Sequence, residues 1–157
     1  MADTGRSRAL QLLLVEDDPG DVLMTKEALD EGADSSLPPC VLHVVSDGVD
    51  ALEFLHREGR YAAAPSPDLV LLDLNLPRIG GREVLAQIKG DPVLRRIPVV
   101  ILTTSDSVDD IVSSYDLQAN AYVTKPVGLN EFLRVIHAME EFWLAVVTFP
   151  PDGKTPA

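Results

Sequence analysis

The sequence predicts an α/β fold, a doubly wound five-stranded parallel sheet with helices on both faces. Three observations carry this. Short apolar runs and helical-period segments alternate along the chain from Leu10 to Val147. Several runs are continuously apolar, as expected of strands covered on both sides. Four runs end in polar residues: Glu16-Asp17-Asp18, Asp73, Thr103-Thr104-Ser105 and Lys125-Pro126. Right-handed crossovers place all strand C-termini on one edge, where such sheets bind ligands.

The elements follow in order. Residues 10–15 are apolar apart from Gln11 and form the first strand. Asp18-Pro19 opens a helix, with Asp as N-cap and Pro at the first position. Val22, Lys26 and Leu29 keep helical spacing, and Gly32 is a stop signal. The Ser- and Pro-containing stretch 33–40 is a loop. Residues 41–45 form the second strand. Asp47-Gly48 precedes a helix with Val49, Leu52 and Leu55 on one side and Gly59 behind it. After the loop 60–67, residues 68–73 form the third strand. The next helix follows Pro77 to Gly81 and carries Val84, Leu85 and Ile88. Segment 91–98 is a connector with room for one helical turn.

Residues 98–102 form the fourth strand. Asp106 or Ser107 caps a helix with Val108, Ile111, Val112 and Tyr115. Residues 121–124 are a short fifth strand. Asn130 is the expected cap of a last helix through Phe132, Val135, Ile136, Met139, Trp143 and Val146. One domain over 10–149 is expected, with loose termini at 1–9 and 150–157.

The 157 residues suit a single domain with a sizeable core. A net charge of −12 opposes binding to nucleic acid or to anionic membranes. Cys40 is the only cysteine, which excludes an internal disulfide or a cysteine-built metal site. No segment is long enough to span a bilayer. Arg6 and Arg8 before an apolar run lack the length and cleavage site of a signal peptide. A cytoplasmic protein is expected.

Glu16, Asp17 and Asp73 gather carboxylates that repel one another unless a cation sits among them. An all-oxygen set favours a hard ion, with Mg²⁺ the default. Asp17 and Asp73 can bind it directly, Glu16 through a water, and Asn75 through its backbone carbonyl. Asp73 is then the nucleophile that takes a phosphoryl group as an acyl phosphate. Lys125, the Thr103 hydroxyl and the Thr104 N–H suit contacts to phosphoryl oxygens. Each feature alone has a plainer reading: a helix cap, a loop start, a common dipeptide. Four at strand ends, in this order, are harder to dismiss.

These residues resemble the receiver domain of bacterial two-component response regulators, over roughly residues 10–147. The resemblance implies that Asp73 receives phosphate from a histidine kinase, and that Glu16 and Asp17 are the acidic pair holding Mg²⁺. It implies that Asn75 is the carbonyl ligand, Thr103 the switch hydroxyl, and Tyr122 the switch aromatic that turns inward on activation. Lys125 is similar to the family's lysine, and Lys125-Pro126 to its usually cis peptide. Gly80-Gly81 and Gln118-Ala119 depart from the more usual Asp-Gly and Gly-Ala. Val15-Glu16-Asp17-Asp18-Pro19-Gly20-Asp21 and Leu72-Asp73-Leu74-Asn75-Leu76-Pro77 are similar to single-domain regulators paired with bacterial phytochrome kinases. So are the long loop before the third strand and Glu140-Glu141-Phe142-Trp143-Leu144. A bacteriophytochrome kinase partner is implied by that likeness alone.

Residues 142–147 are apolar all round, so something must cover both sides of that helix. A homodimer interface anchored by Phe142, Trp143, Leu144 and Phe149 is one reading; a tail folded back within one chain is the other. No output domain is expected after the last helix, so output passes through a partner, a dimer change or phosphate relay. The chain is expected to accept and slowly lose phosphate without turnover. The alternative is an Mg²⁺-dependent phosphohydrolase with an aspartate nucleophile. Such enzymes place an acid two residues after the nucleophile. Asn75 occupies that place and cannot transfer a proton. A binding-only receiver is the third option.

Overall fold

The computed structural model describes residues 9–31 and 39–150. The Gly32 stop, most of the 33–40 loop, residues 1–8 and residues 151–157 lie outside them. Strands β1 (Leu10–Val15), β2 (Cys40–Val45), β3 (Leu69–Leu72), β4 (Val99–Thr103) and β5 (Ala121–Thr124) form one parallel sheet in the order β2-β1-β3-β4-β5. Helices α1 (Pro19–Glu31), α2 (Gly48–His56), α3 (Gly81–Gly90), α4 (Val108–Asp116) and α5 (Leu129–Glu141) alternate with the strands. The strand order reverses direction between β1 and β3, which makes their C-terminal ends the switch point of the sheet.

The apolar runs behave as expected. Every residue of β3 and β4 is buried. Leu13, Val15, Val70, Leu72, Val99 and Ile101 face a core closed by Phe54, Leu55, Val84, Leu85 and Ile88 from α2 and α3. Leu12, Leu14, Leu69, Leu71 and Val100 face the opposite side, against Val22, Leu29, Met139 and Trp143. Alternation along each strand thus feeds two separate cores.

Two caps differ from those expected, and two helices show further detail. The α2 C-terminus turns at Arg57, with φ 56°, rather than at Gly59. Its N–H bonds back to Phe54, so the cap forms without a glycine. The cap of α5 is Gly128, not Asn130: the Phe132 N–H already bonds to the Gly128 carbonyl, so the helix starts earlier. The α4 stripe faces outward, with Val108 72%, Val112 51% and Tyr115 49% exposed. The buried residue of α4 is Ser114, small enough to sit between helix and sheet. Finally, α5 continues past Glu141 as one π-helical turn over Phe142–Val146.

Among the described residues, no helix is long and apolar enough to cross a membrane.

Candidate functional site

Register assembles the site. Val15 pairs with Leu72 across β1 and β3, so Glu16 and Asp73 leave the sheet side by side. The ladder continues one step further, with the Asp73 N–H bonded to the Val15 carbonyl at 3.1 Å and the Glu16 N–H to the Val45 carbonyl at 3.0 Å. Both side chains are buried, Glu16 3% and Asp73 6% exposed, while Asp17 is exposed. Carboxylate oxygens of Glu16, Asp17 and Asp73 lie within 4.8 Å of one another. Three hard oxygen donors at that spacing fit one divalent cation.

Opposite β3, the Lys125 N–H bonds to the Thr103 carbonyl at 2.7 Å, which fixes where the lysine leaves β5. Its ammonium is buried and touches three carboxylates: Glu16 at 2.5 Å, Asp21 at 2.8 Å and Asp73 at 3.3 Å. Burial pushes the Glu16 carboxyl up to about 7, against the opposing pull of the Lys125 hydrogen bond and charge; Asp73 adds to the rise. Burial alone would lower the Lys125 ammonium. Its hydrogen bonds to Asp21 and Glu16 and the Asp73 charge outweigh that and hold it above the ordinary lysine range.

The Lys125–Pro126 peptide is trans, contrary to the cis form the resemblance implied. The tertiary amide leaves the isomers within about 1 kcal/mol, so the dipeptide alone does not decide between them. The lysine reaches the acids from the trans form.

Asn75 is exposed, and its N–H donates to Asp73 Oδ1 at 3.1 Å. Thr103 is fully buried at the end of β4, and Thr104 beside it is exposed. Tyr122 is half-buried against the α2–α3 core, with its hydroxyl donating to the Ser105 carbonyl at 2.9 Å. The Ser105 N–H points to Thr103 Oγ1 at 3.5 Å, and its hydroxyl bonds Asp110 at 2.5 Å. Asp110 in turn pairs with Arg82 at the start of α3. Ser105 therefore joins the threonine, the tyrosine and α3, a role its place in a Thr-Thr-Ser run does not announce.

Asp21 was also missed. Asp18 caps α1, its Oδ1 accepting from the Gly20 N–H at 2.8 Å and the Asp21 N–H at 3.2 Å. With Pro19 first in the helix, Asp21 sits at the third position, where side chains turn back toward the cap. That signal was in the sequence. The loop after Asp73 is held by Arg78, whose guanidinium bonds Asp47 at 3.0 Å. A Cβ on Gly81 would lie 2.2 Å from the Asp73 carbonyl oxygen, so only glycine lets α3 start against the end of β3.

A parallel sheet of this order with acids, a hydroxyl and a lysine at its switch edge defines an aspartate-centred receiver. The chain belongs to the response regulator receiver domain family, which matches residues 12–137. This is a signalling family rather than a family of catalytic enzymes. The chain is 45% identical to the response regulator Rcp1 of Synechocystis over 139 residues, 88% of this chain and 92% of that protein. The crystal structure of the phosphorylated cyanobacterial phytochrome response regulator RcpA matches with a TM-score of 0.87 and 46% identity, covering 92% of this chain and all of that one. The Mn²⁺-bound form of Rcp1 matches at 0.85 with 44% identity, covering 90% of this chain and 99% of that one.

Proposed function

We propose that Asp73 is the phosphoacceptor of a histidine kinase, with Mg²⁺ held by Glu16, Asp17, Asp73 and the Asn75 carbonyl. The carrying observation is the Asp73 carboxylate set between the acid cluster and the buried Lys125 ammonium. An Asp73 oxygen attacks phosphorus on the phosphohistidine. The P–N bond breaks, and its electron pair stays on the imidazole, which takes up a proton. The bound cation supplies positive charge against the transferring phosphoryl oxygens. Lys125, the Thr103 hydroxyl and the Thr104 N–H take phosphoryl oxygens, and Thr103 passes the change through Ser105 to Tyr122. Asn75 offers no acid for hydrolysis, so the group is a signal rather than a turnover intermediate.

Incubation with acetyl phosphate and Mg²⁺, followed by intact-mass measurement, tests this. One added phosphoryl group is expected on the wild type and none on Asp73→Asn. No addition to the wild type, or equal addition to the variant, overturns it.

The kinase is proposed to be a bacteriophytochrome and the setting the cytoplasm. Support comes from RcpA and from the bacteriophytochrome response regulator RtBRR, 42% identical with a TM-score of 0.69. Phosphotransfer from a phosphorylated bacteriophytochrome kinase, faster than from an unrelated kinase, is the expected result.

A homodimer through the last helix is also proposed. Trp143 packs on the sheet and contacts Phe149 at 6.0 Å between ring centroids, so part of the tail does fold back. Leu144 is half-buried and Val146 exposed, and Phe142 stays exposed in a groove it lines with Val100, Ala121, Val123 and Val147. Phe142 is then the leading anchor. Only monomer in ultracentrifugation at micromolar concentration would rule the dimer out.

A further inference from the structure

We propose that Asp21 is a positioning residue for Lys125, setting where the ammonium stands relative to the phosphoacceptor. The inference rests on the reading of Asp73 given above. An ammonium has three N–H donors, and here all three meet carboxylates. The two shorter contacts, 2.5 Å and 2.8 Å, go to Glu16 and Asp21; the longest, 3.3 Å, goes to Asp73. A lysine stem has several rotatable bonds and does not place its own head. Glu16 is fixed by the β1 ladder, and Asp21 by the first turn of α1, so the two come from different elements and triangulate the nitrogen.

The consequence is chemical. An ammonium free to close on Asp73 would pair tightly with the nucleophile and blunt it. Held by Glu16 and Asp21, it keeps one N–H directed at the place where a phosphoryl oxygen on Asp73 arrives. On phosphoryl transfer that one contact changes partner while the other two stay. Asp21 acts through acceptor geometry rather than through charge. An amide oxygen in the same place retains the function; a methyl group does not.

The test uses the full chain with acetyl phosphate and saturating Mg²⁺, following intact mass over time. Asp21→Ala is expected to slow phosphorylation by about tenfold or more, the scale of a misplaced catalytic group. Asp21→Asn is expected to stay within about threefold of wild type, because its side-chain oxygen still accepts. In a Lys125→Ala background, Asp21→Ala is expected to add nothing, since two residues acting through one contact are non-additive. Asp21→Ser, too short to reach the ammonium, replaces Asp21→Ala if the latter melts early. Asp21→Ala as fast as wild type overturns the proposal, as does an equal further slowing in the Lys125→Ala background. A wild type that takes up no phosphate removes the phosphoacceptor reading and this inference together. A phosphorylated wild type with an unimpaired Asp21→Ala removes only this one.

Discussion

Replacing Asp17 by Asn should raise stability without metal and lower it with metal. The sign reversal follows from the surroundings of this carboxylate. Asp17 is exposed and has no ion-pair or hydrogen-bond partner among the described residues, yet its oxygens lie within 4.8 Å of those of Glu16 and Asp73. At that distance in a water-like dielectric, one like-charge contact costs about 1 kcal/mol. Asn removes it, which should raise the melting midpoint in EDTA by about 2–4 °C for a chain of this size. With Mg²⁺ at about one hundred times its dissociation constant, the wild type gains about 2.7 kcal/mol. A variant that has lost a direct ligand gains much less, so the order of the two midpoints inverts. Melts followed by circular dichroism, in EDTA and across a Mg²⁺ series, read both arms. A variant less stable than wild type in EDTA, or one that keeps the full Mg²⁺ gain, would refute the reasoning.

Gln118 holds φ 73° at an exposed turn, a left-handed conformation that favours glycine. Relief of about 1–2 kcal/mol of left-handed strain exceeds glycine's entropic cost of about 0.5–1 kcal/mol, so Gln118→Gly should raise the midpoint slightly in thermal melts. Lys89 donates to the carbonyls of Arg95 and Ile97 and to Asn120 Oδ1 at 2.9–3.1 Å, and Asn120 also accepts from the Val99 N–H. Lys89→Met keeps the stem but leaves the Arg95 and Ile97 carbonyls without this donor, and should cost about 1–3 kcal/mol in urea titration. Glu140 is buried in the last helix beside Leu10, Cys40 and Trp143, and burial raises its carboxyl above the ordinary range, with nearby His137 opposing. A carboxyl raised in the folded state binds more protons there than when unfolded, so its contribution is lost as pH rises through the folded value. Glu140→Gln should therefore stabilise at pH 8 and give no advantage at pH 4; equal effects at both would contradict this.

The sheet was legible because strands buried on both faces must be continuous apolar runs, and Leu69-Val70-Leu71-Leu72 admits little else. Glu16, Asp73, Thr103 and Lys125 were legible because strand ends on a parallel sheet share one edge whatever the side chains do. What depends on reach was less visible. Asp21 approaches from a helix and Ser105 from a loop, and neither ends a strand. The apolar spacing of Val108, Val112 and Tyr115 identified a helix face but not its direction. An amphipathic pattern reports that a face is apolar, not that it is covered: α4 leaves that face outward and buries Ser114 instead. In the tail, Trp143 and Phe149 fold back against the sheet, while Phe142 stays exposed.

The charge balance explains why the site needs something from outside the chain. Glu16, Asp17, Asp21 and Asp73 bring four carboxylates around the single Lys125 ammonium. Burial answers part of the imbalance by holding the Glu16 carboxyl up at about 7. Lys125 cannot answer the rest, because its three donors are already engaged. A phosphoryl group on Asp73 adds further negative charge to a place that is short of positive charge. The lysine can exchange its Asp73 contact for a phosphoryl oxygen, but that exchange brings in no new cation. A divalent ion at the exposed Asp17 side is the remaining source. The same deficit of positive charge would therefore tie the proposed phosphorylation of Asp73 to cation binding.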